Sequence, residues 1–247
     1  MLTNKDGPGF ESITMSRIYL CEFVAEDILC MIKIIIFDFD DTLIESRKNY
    51  IATCVKAAEV LGIRVPTEED FIWYGDSWHD FIRQTWPDTD PEAFDLVYTD
   101  LARQIVYNRF KGVNTTLNLL RENYDLYILT KRSRTFLDLR LAQSGIDMTA
   151  IKKIFTSEEM AFQKPDPRAF DVLEPHLGEF DRAQVLYVGD HLGDMQAAHG
   201  AGLKFVAVLT GYFSRHAFME NGLSDRYIID DVAQLPAWLM AEKEIEP

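Results

Sequence analysis

The 247 residues include 25 lysines and arginines against 40 aspartates and glutamates, a formal charge of −15. So acidic a chain lacks the basic surface that a nucleic acid or an anionic membrane would need, and an anionic substrate would require a local positive centre, a metal or a placed lysine. With 47% hydrophobic and 26% charged residues, the composition is that of a globular protein long enough to bury a sizeable core in one or two domains.

Cys21, Cys30 and Cys54 form an odd, scattered set. That suits a reducing compartment, the cytoplasm, better than a disulfide framework or a zinc site. No apolar run reaches the roughly 20 residues that span a bilayer. Glu11, Glu22, Glu26 and Asp27 interrupt the region where a signal peptide would carry its apolar stretch. Residues 1–30 read as an appendage to the fold. A chain beginning at Met31 is expected to fold and act normally.

In chain order, the first strong strand signal is "KIIIFD" (33–38), followed by "LYILT" (126–130), "KKIFT" (152–156), "VLYVGD" (185–190) and "FVAVLT" (205–210). Apolar runs without strict alternation predict strands covered on both faces. Helical patterns lie between most of them, at 112–123 and at 134–145, the latter closing on Gly145. Asp166 with Pro167 marks another helix start. Alternation of this kind predicts an α/β fold, a doubly wound parallel sheet.

One connection is too long for that scheme. Nearly ninety residues separate Asp38 from the second strand, far more than a crossover helix requires. Helices are expected there at about 47–61, 67–84 and 91–110, with Thr67 and Asp70 as a capping box and Asp90–Pro91 as a helix start. The interval 46–110 therefore reads as an inserted all-helical cap subdomain, and 31–45 with 111–247 as the core. Within the insertion, Trp73, Tyr74, Trp78, His79 and Arg83 surround Gly75; at helical spacing such an aromatic stripe belongs to a core.

The chemistry concentrates at the predicted carboxyl ends of the strands, where open parallel sheets bind ligands. Asp38, Asp40, Asp41 and Thr42 follow the first strand, Thr130 the second, Lys164 the third, and Asp190 with Asp194 the fourth. Carboxylates crowded at a buried strand end repel one another. Gathered in one cleft without histidines, they form a hard oxygen-donor site suited to Mg²⁺. A lysine and a threonine hydroxyl supply donors for phosphoryl oxygens, and a carboxylate can attack phosphorus to give an acyl phosphate. His191 reads as an exposed loop residue, and Lys131 and Arg132 as basic loop residues beside an acidic site.

"FDFDDTL" resembles the D-x-D-x-T motif of the haloacid dehalogenase superfamily. Thr130, Lys164, and Asp190 with Asp194 fall where that family has its other motifs, in the same order. The stretch "DMQAAHGAGLKFVAVLTGY" is similar to the phosphoglycolate-phosphatase-type branch, and the resemblance spans roughly 32–235. It implies a Rossmann-like core with a mobile cap, and a Mg²⁺-dependent phosphatase acting on a small phosphorylated metabolite. Asp38 would be the nucleophile and Asp40 the general acid, then base. Thr130 and Lys164 would hold the phosphoryl group, with Lys164 also steadying Asp38. The metal would be held by Asp38, the Asp40 backbone carbonyl and Asp190, with Asp194 in support.

Asp41, Thr42 and Lys131 are expected at the substrate. Dehalogenases and phosphonatases of the family lack an aspartate at the position of Asp40, so its presence points to phosphate esters. Lys131 stands where this branch often has asparagine, which bears on substrate choice. A β-phosphoglucomutase-like phosphotransferase is the alternative reading, and a non-catalytic phospho-acceptor or binding protein on this fold is the second.

Overall fold

A computed structural model describes residues 32–71, 78–178 and 180–244; the appendage expected at 1–30 lies outside them. Six strands form one sheet: β1 (Ile34–Phe37), β2 (Asp125–Leu129), β3 (Ile151–Phe155), β4 (Val185–Gly189), β5 (Lys204–Val208) and β6 (Ile228–Ile229). Their order is β3-β2-β1-β4-β5-β6, and every pairing is parallel. The chain fills the sheet outward from β1 on one side, then returns to fill the other. The reversal between β1 and β4 is where open α/β sheets open a crevice.

The five apolar runs each become a strand because both sheet faces are covered. Ile35 and Phe37 point to one face, with Leu126, Ile128, Leu186 and Val188. Residues of α4 (Val113–Leu120), α5 (Arg134–Ser144) and α9 (Leu235–Glu244) cover that face, among them Leu117, Leu137 and Leu239. Ile34 and Ile36 point to the other, under α7 (Leu192–Gly200), α8 (Arg215–Glu220) and the turns holding Phe170 and Leu173. Each such side chain contributes roughly 1.5–3 kcal/mol by leaving water. β6 has two residues, too few to leave a pattern in the sequence.

Between β1 and β2 lie α1 (Arg47–Leu61), α2 (Trp78–Thr85) and α3 (Pro91–Arg103). They share a third apolar cluster, including Cys54, Ala58, Phe81, Trp86, Phe94 and Tyr98. Trp78 packs there, 4.6 Å from the Tyr98 ring, and donates to Asp95 Oδ1 at 2.6 Å. Of the rest of the stretch, His79 is half-buried and Arg83 is exposed, paired with Asp80 at 3.2 Å, so the core expectation holds for Trp78 and not for Arg83. Trp73, Tyr74 and Gly75 lie outside the described residues.

Two helix boundaries differ from expectation. Helix 67–84 is a 3₁₀ turn, Glu68–Phe71, and then α2, with 72–77 outside the described residues. Asp70 reaches back to the Thr67 N–H at 2.7 Å, the acidic half of the expected box. The helix expected over 91–110 starts on its Asp90 cap but stops at Arg103. Beyond it the backbone pairs with the outgoing linker: Glu45 N donates to Asn108 O (2.8 Å) and Phe110 N to Leu43 O (3.0 Å). That pairing uses the groups a longer helix would need. The two linkers thus run side by side between the three helices and the sheet.

Asp166 does cap a helix start, accepting from Arg168 N at 2.9 Å. The turns it opens are 3₁₀ (Pro167–Leu173), continuing into the short α6 (Glu174–Leu177). Gly145 closes α5 with φ of 65°. Among the described residues no helix is long and apolar enough to cross a membrane.

Candidate active site

Strand register brings the predicted residues together. Phe37 sits level with Ile128 of β2 and Val188 of β4, so the first residues past these strands share one rim. Asp38 leaves β1 with its N–H still bonded to Val188 O (2.8 Å). Asp190 follows Gly189, and Asp194 occupies the first turn of α7, where the helix macrodipole favours a carboxylate. Thr130 follows β2, its N–H bonded to Phe155 O (3.0 Å).

Lys164 reaches into this rim from the loop after β3. Its ammonium donates to Asp38 Oδ1 (2.6 Å) and Tyr187 Oη (2.6 Å) and pairs with Asp194 Oδ1 (2.7 Å). An ammonium has three hydrogens, so all are committed. Tyr187 passes its own hydrogen to Leu129 O at 3.2 Å. Asp38, Asp190, Asp194 and Lys164 are all buried, none more than 8% exposed.

One carboxylate oxygen from each of Asp38, Asp190 and Asp194 lies within 4.8 Å of the others. Burial pushes the Asp38 carboxyl up to about 7, with Lys164 opposing and Asp194 and Asp40 adding to the rise. Burial, then the charges of Asp194, Asp38 and Asp41, carries Asp190 well above the usual carboxylate range. The site therefore holds more buried negative charge than Lys164 balances. A compact set of hard oxygen donors with surplus charge fits a divalent cation such as Mg²⁺.

Supporting contacts fix these carboxylates. Thr42 Oγ1 donates to Asp190 Oδ1 at 3.2 Å. His191 and Asp194 form a reciprocal cap at the start of α7: His191 Nδ1 accepts from Gly193 N (2.9 Å), and Asp194 Oδ2 accepts from His191 N (3.2 Å). His191 is exposed, as expected, and serves as a helix cap.

Two glycines make room for the carboxylates. A Cβ on Gly211 would lie 1.8 Å from Asp190 Oδ2, and one on Gly189 2.5 Å from Asp194 Oδ2. Gly211→Ala must therefore displace Asp190. Disturbing a ligand's support typically costs 10–100-fold in metal affinity or activity. A loss of at least about 10-fold in Mg²⁺ affinity is expected by calorimetric titration; unchanged affinity would contradict the placement.

Asp41 adopts φ of 53°, a left-handed conformation that aspartate tolerates. Its Oδ1 accepts from Ser46 N (3.0 Å) and Arg47 N (2.9 Å), and its Oδ2 from Ser46 Oγ (3.0 Å). It closes the start of α1, and burial raises its carboxyl to about 6. The substrate contacts expected of Asp41 and Thr42 thus meet side chains already committed to support. Lys131 stands half-buried in the loop after β2. Beside it, Arg132 grips Asp40, an ion pair the sequence did not signal. Tyr187 was also missed, although a tyrosine within an otherwise aliphatic buried strand needs a partner for its hydroxyl.

These carboxyls take up protons at a higher pH when folded than when unfolded. The metal-free fold is therefore expected to lose stability as pH rises from about 4 through about 7. A cation that stabilises the ionised forms acts against this loss. Mg²⁺ should then raise the melting temperature more at about pH 8 than at about pH 5. An equal or larger rise at the lower pH would contradict the site's charge balance.

Residues 35–208 match the family model of the haloacid dehalogenase-like hydrolases. The chain belongs to this family. Among curated relatives, a phosphoglycolate phosphatase of Haemophilus influenzae (strain 86-028NP) is 27% identical over 220 residues, covering 82% of this chain and 96% of that protein. The pyrimidine 5'-nucleotidase PynA of Streptococcus pneumoniae is 32% identical over 87 residues, 35% of this chain and 36% of that protein. Among solved structures, CbbY of Rhodobacter sphaeroides in complex with phosphate superposes with a TM-score of 0.70 at 19% identity, covering 85% of this chain and 100% of that one. At that identity the likeness speaks for the shared fold of this hydrolase and no more.

Proposed function

We propose that this hydrolase is a Mg²⁺-dependent phosphatase that cleaves a small phosphorylated metabolite, phosphoglycolate- or sugar-phosphate-like, through an aspartyl-phosphate intermediate. The observation that carries this reading is Asp38, a buried carboxylate held 2.6 Å from the Lys164 ammonium beside the acidic cluster. The relatives named phosphoglycolate phosphatase support it. The odd, scattered set of three cysteines supports a cytoplasmic setting.

Asp38, Asp190 and the Asp40 backbone carbonyl are the ligands in this reading, with Asp194 in support. Mg²⁺ bound there would offset the repulsion between carboxylate and phosphate and draw charge from the phosphoryl oxygens. An Asp38 oxygen forms a bond to phosphorus as the ester P–O bond breaks. The leaving oxygen keeps that bond's electron pair and takes a proton from Asp40. Water then attacks phosphorus and gives a proton to Asp40. The bond between Asp38 and phosphorus breaks, releasing inorganic phosphate and restoring the carboxylate.

Thr130 Oγ1 accepts from Arg132 N at 3.1 Å, so its own hydrogen can go to a phosphoryl oxygen. Lys164 steadies the nucleophile and can share a hydrogen with the phosphoryl group. Residues 46–110 act as the cap, closing over the site on the paired linkers and excluding water. Lys131 faces the substrate in this reading.

A phosphate-release screen of the purified protein with Mg²⁺ against phosphoglycolate, sugar phosphates and nucleotides tests the proposal. Multiple-turnover release from at least one of them is expected. Hexose-phosphate isomers that interconvert without release would assign a phosphotransferase instead, and no turnover of any of them would remove the enzymatic reading.

A further inference from the structure

Asp40 stands apart from the buried acidic cluster. Its carboxylate is 28% exposed, and one guanidinium takes both of its oxygens: Arg132 Nε donates to Oδ2 at 2.9 Å and Nη2 donates to Oδ1. Arg132 comes from the loop after β2, and its backbone is pinned on both sides. Its N–H bonds Thr130 Oγ1, and its carbonyl accepts from Ser157 N at 3.2 Å. The guanidinium is 16% exposed and lies 5.9 Å from the ring of Tyr107. Tyr107 is itself fully buried and stacked on Arg140, whose Cζ is 3.7 Å from its ring. Arg140 in turn holds the carbonyls of Ala102 (3.0 Å) and Ile105 (3.1 Å), at the end of α3. A fixed wall therefore stands behind Arg132.

We propose that Arg132 is a positioning residue that sets the orientation of the Asp40 carboxylate. The inference rests on the reading of Asp40 as the proton donor and acceptor. An aspartate has two soft torsions, and the charge of Asp38 nearby works against a stable pose for a second carboxylate. A guanidinium fork fixes both oxygens in one plane, which an ammonium cannot do. The proton is then delivered to the leaving oxygen from one place, and taken from water at the same place. Precise placement of this kind governs the rate of the proton transfer, because a small displacement lengthens its path.

The test compares two leaving groups by rapid quench with Mg²⁺. An alkyl phosphate leaves poorly and needs the proton, whereas p-nitrophenolate leaves well without one. Positioned general acid catalysis is worth about 10²–10⁴-fold. Arg132→Met should slow phosphorylation of the enzyme by the alkyl ester at least about 10²-fold, and the p-nitrophenolate burst rate at most about 2-fold. Arg132→Lys, which keeps the charge and loses the fork, should fall between wild type and Arg132→Met on the alkyl ester. In an Asp40→Asn background Arg132→Met should cost nothing further.

Equal losses on both esters, full activity in Arg132→Lys, or a rise in KM with kcat unchanged would overturn the inference while leaving the phosphatase reading intact. Absence of any Asp38-dependent burst in the wild-type protein would overturn both. If Arg132→Met does not fold, by circular dichroism, the comparison of Arg132→Lys with wild type on the two esters decides in the same way.

Discussion

Replacing Asp38 by asparagine is expected to abolish phosphomonoester hydrolysis, with a loss in kcat of at least about 10³-fold, the scale seen when an enzyme loses its nucleophile. Asparagine is nearly the same size and can still accept from Lys164, so the packing behind β1 survives. It lacks the charged oxygen that would bond to phosphorus. It also removes one buried negative charge from a cluster in which Asp38 is raised to about 7 by burial, so the metal-free fold should be as stable as wild type or more so near neutral pH. Steady-state phosphate release and thermal melting of the same preparation separate the two effects. Retained turnover would refute the role of Asp38. Lost turnover accompanied by a collapsed melting temperature would turn the loss into a folding defect.

Chelation gives the second large effect. EDTA is expected to bring turnover to background, and added Mg²⁺ to restore it. The physical reason is local charge: Asp38, Asp190 and Asp194 present oxygens within 4.8 Å of one another, and a phosphate ester adds further negative charge. Lys164 is one cation, and all its hydrogens are already placed. Like charges in a desolvated cleft resist one another strongly. Asp190→Asn should mimic chelation, because Thr42 and Gly211 hold that side chain against the site. Full activity in EDTA would show that the surplus charge is handled some other way.

The sheet and the order of the site residues could be read from the sequence because each rests on local pattern. A strand buried on both faces must be a short apolar run, and β1 to β5 all are. Residues that face the crevice of an open parallel sheet must follow such runs, and Asp38, Thr130, Lys164 and Asp190 all do. The end of α3 was not legible, since it depends on pairing of Asn108 and Phe110 with residues more than sixty positions earlier. The commitments of Asp41 and Thr42 were equally hidden. A carboxylate at a turn looks the same in sequence whether it meets substrate or closes a helix. The grip of Arg132 on Asp40 required knowing how the loop after β2 folds back. Gly211 gave no signal either, because what it makes room for lies across the rim on Asp190.

Trapping the covalent intermediate tests the central claim most directly. Wild-type protein mixed with Mg²⁺ and a phosphomonoester that it turns over is quenched in acid during the first turnover and mapped by peptide mass spectrometry. The account predicts a phosphoryl group on the peptide carrying Asp38, removed by hydroxylamine and absent from Asp38→Asn. Turnover with that peptide unmodified throughout, or with the phosphoryl group on another residue, would contradict it.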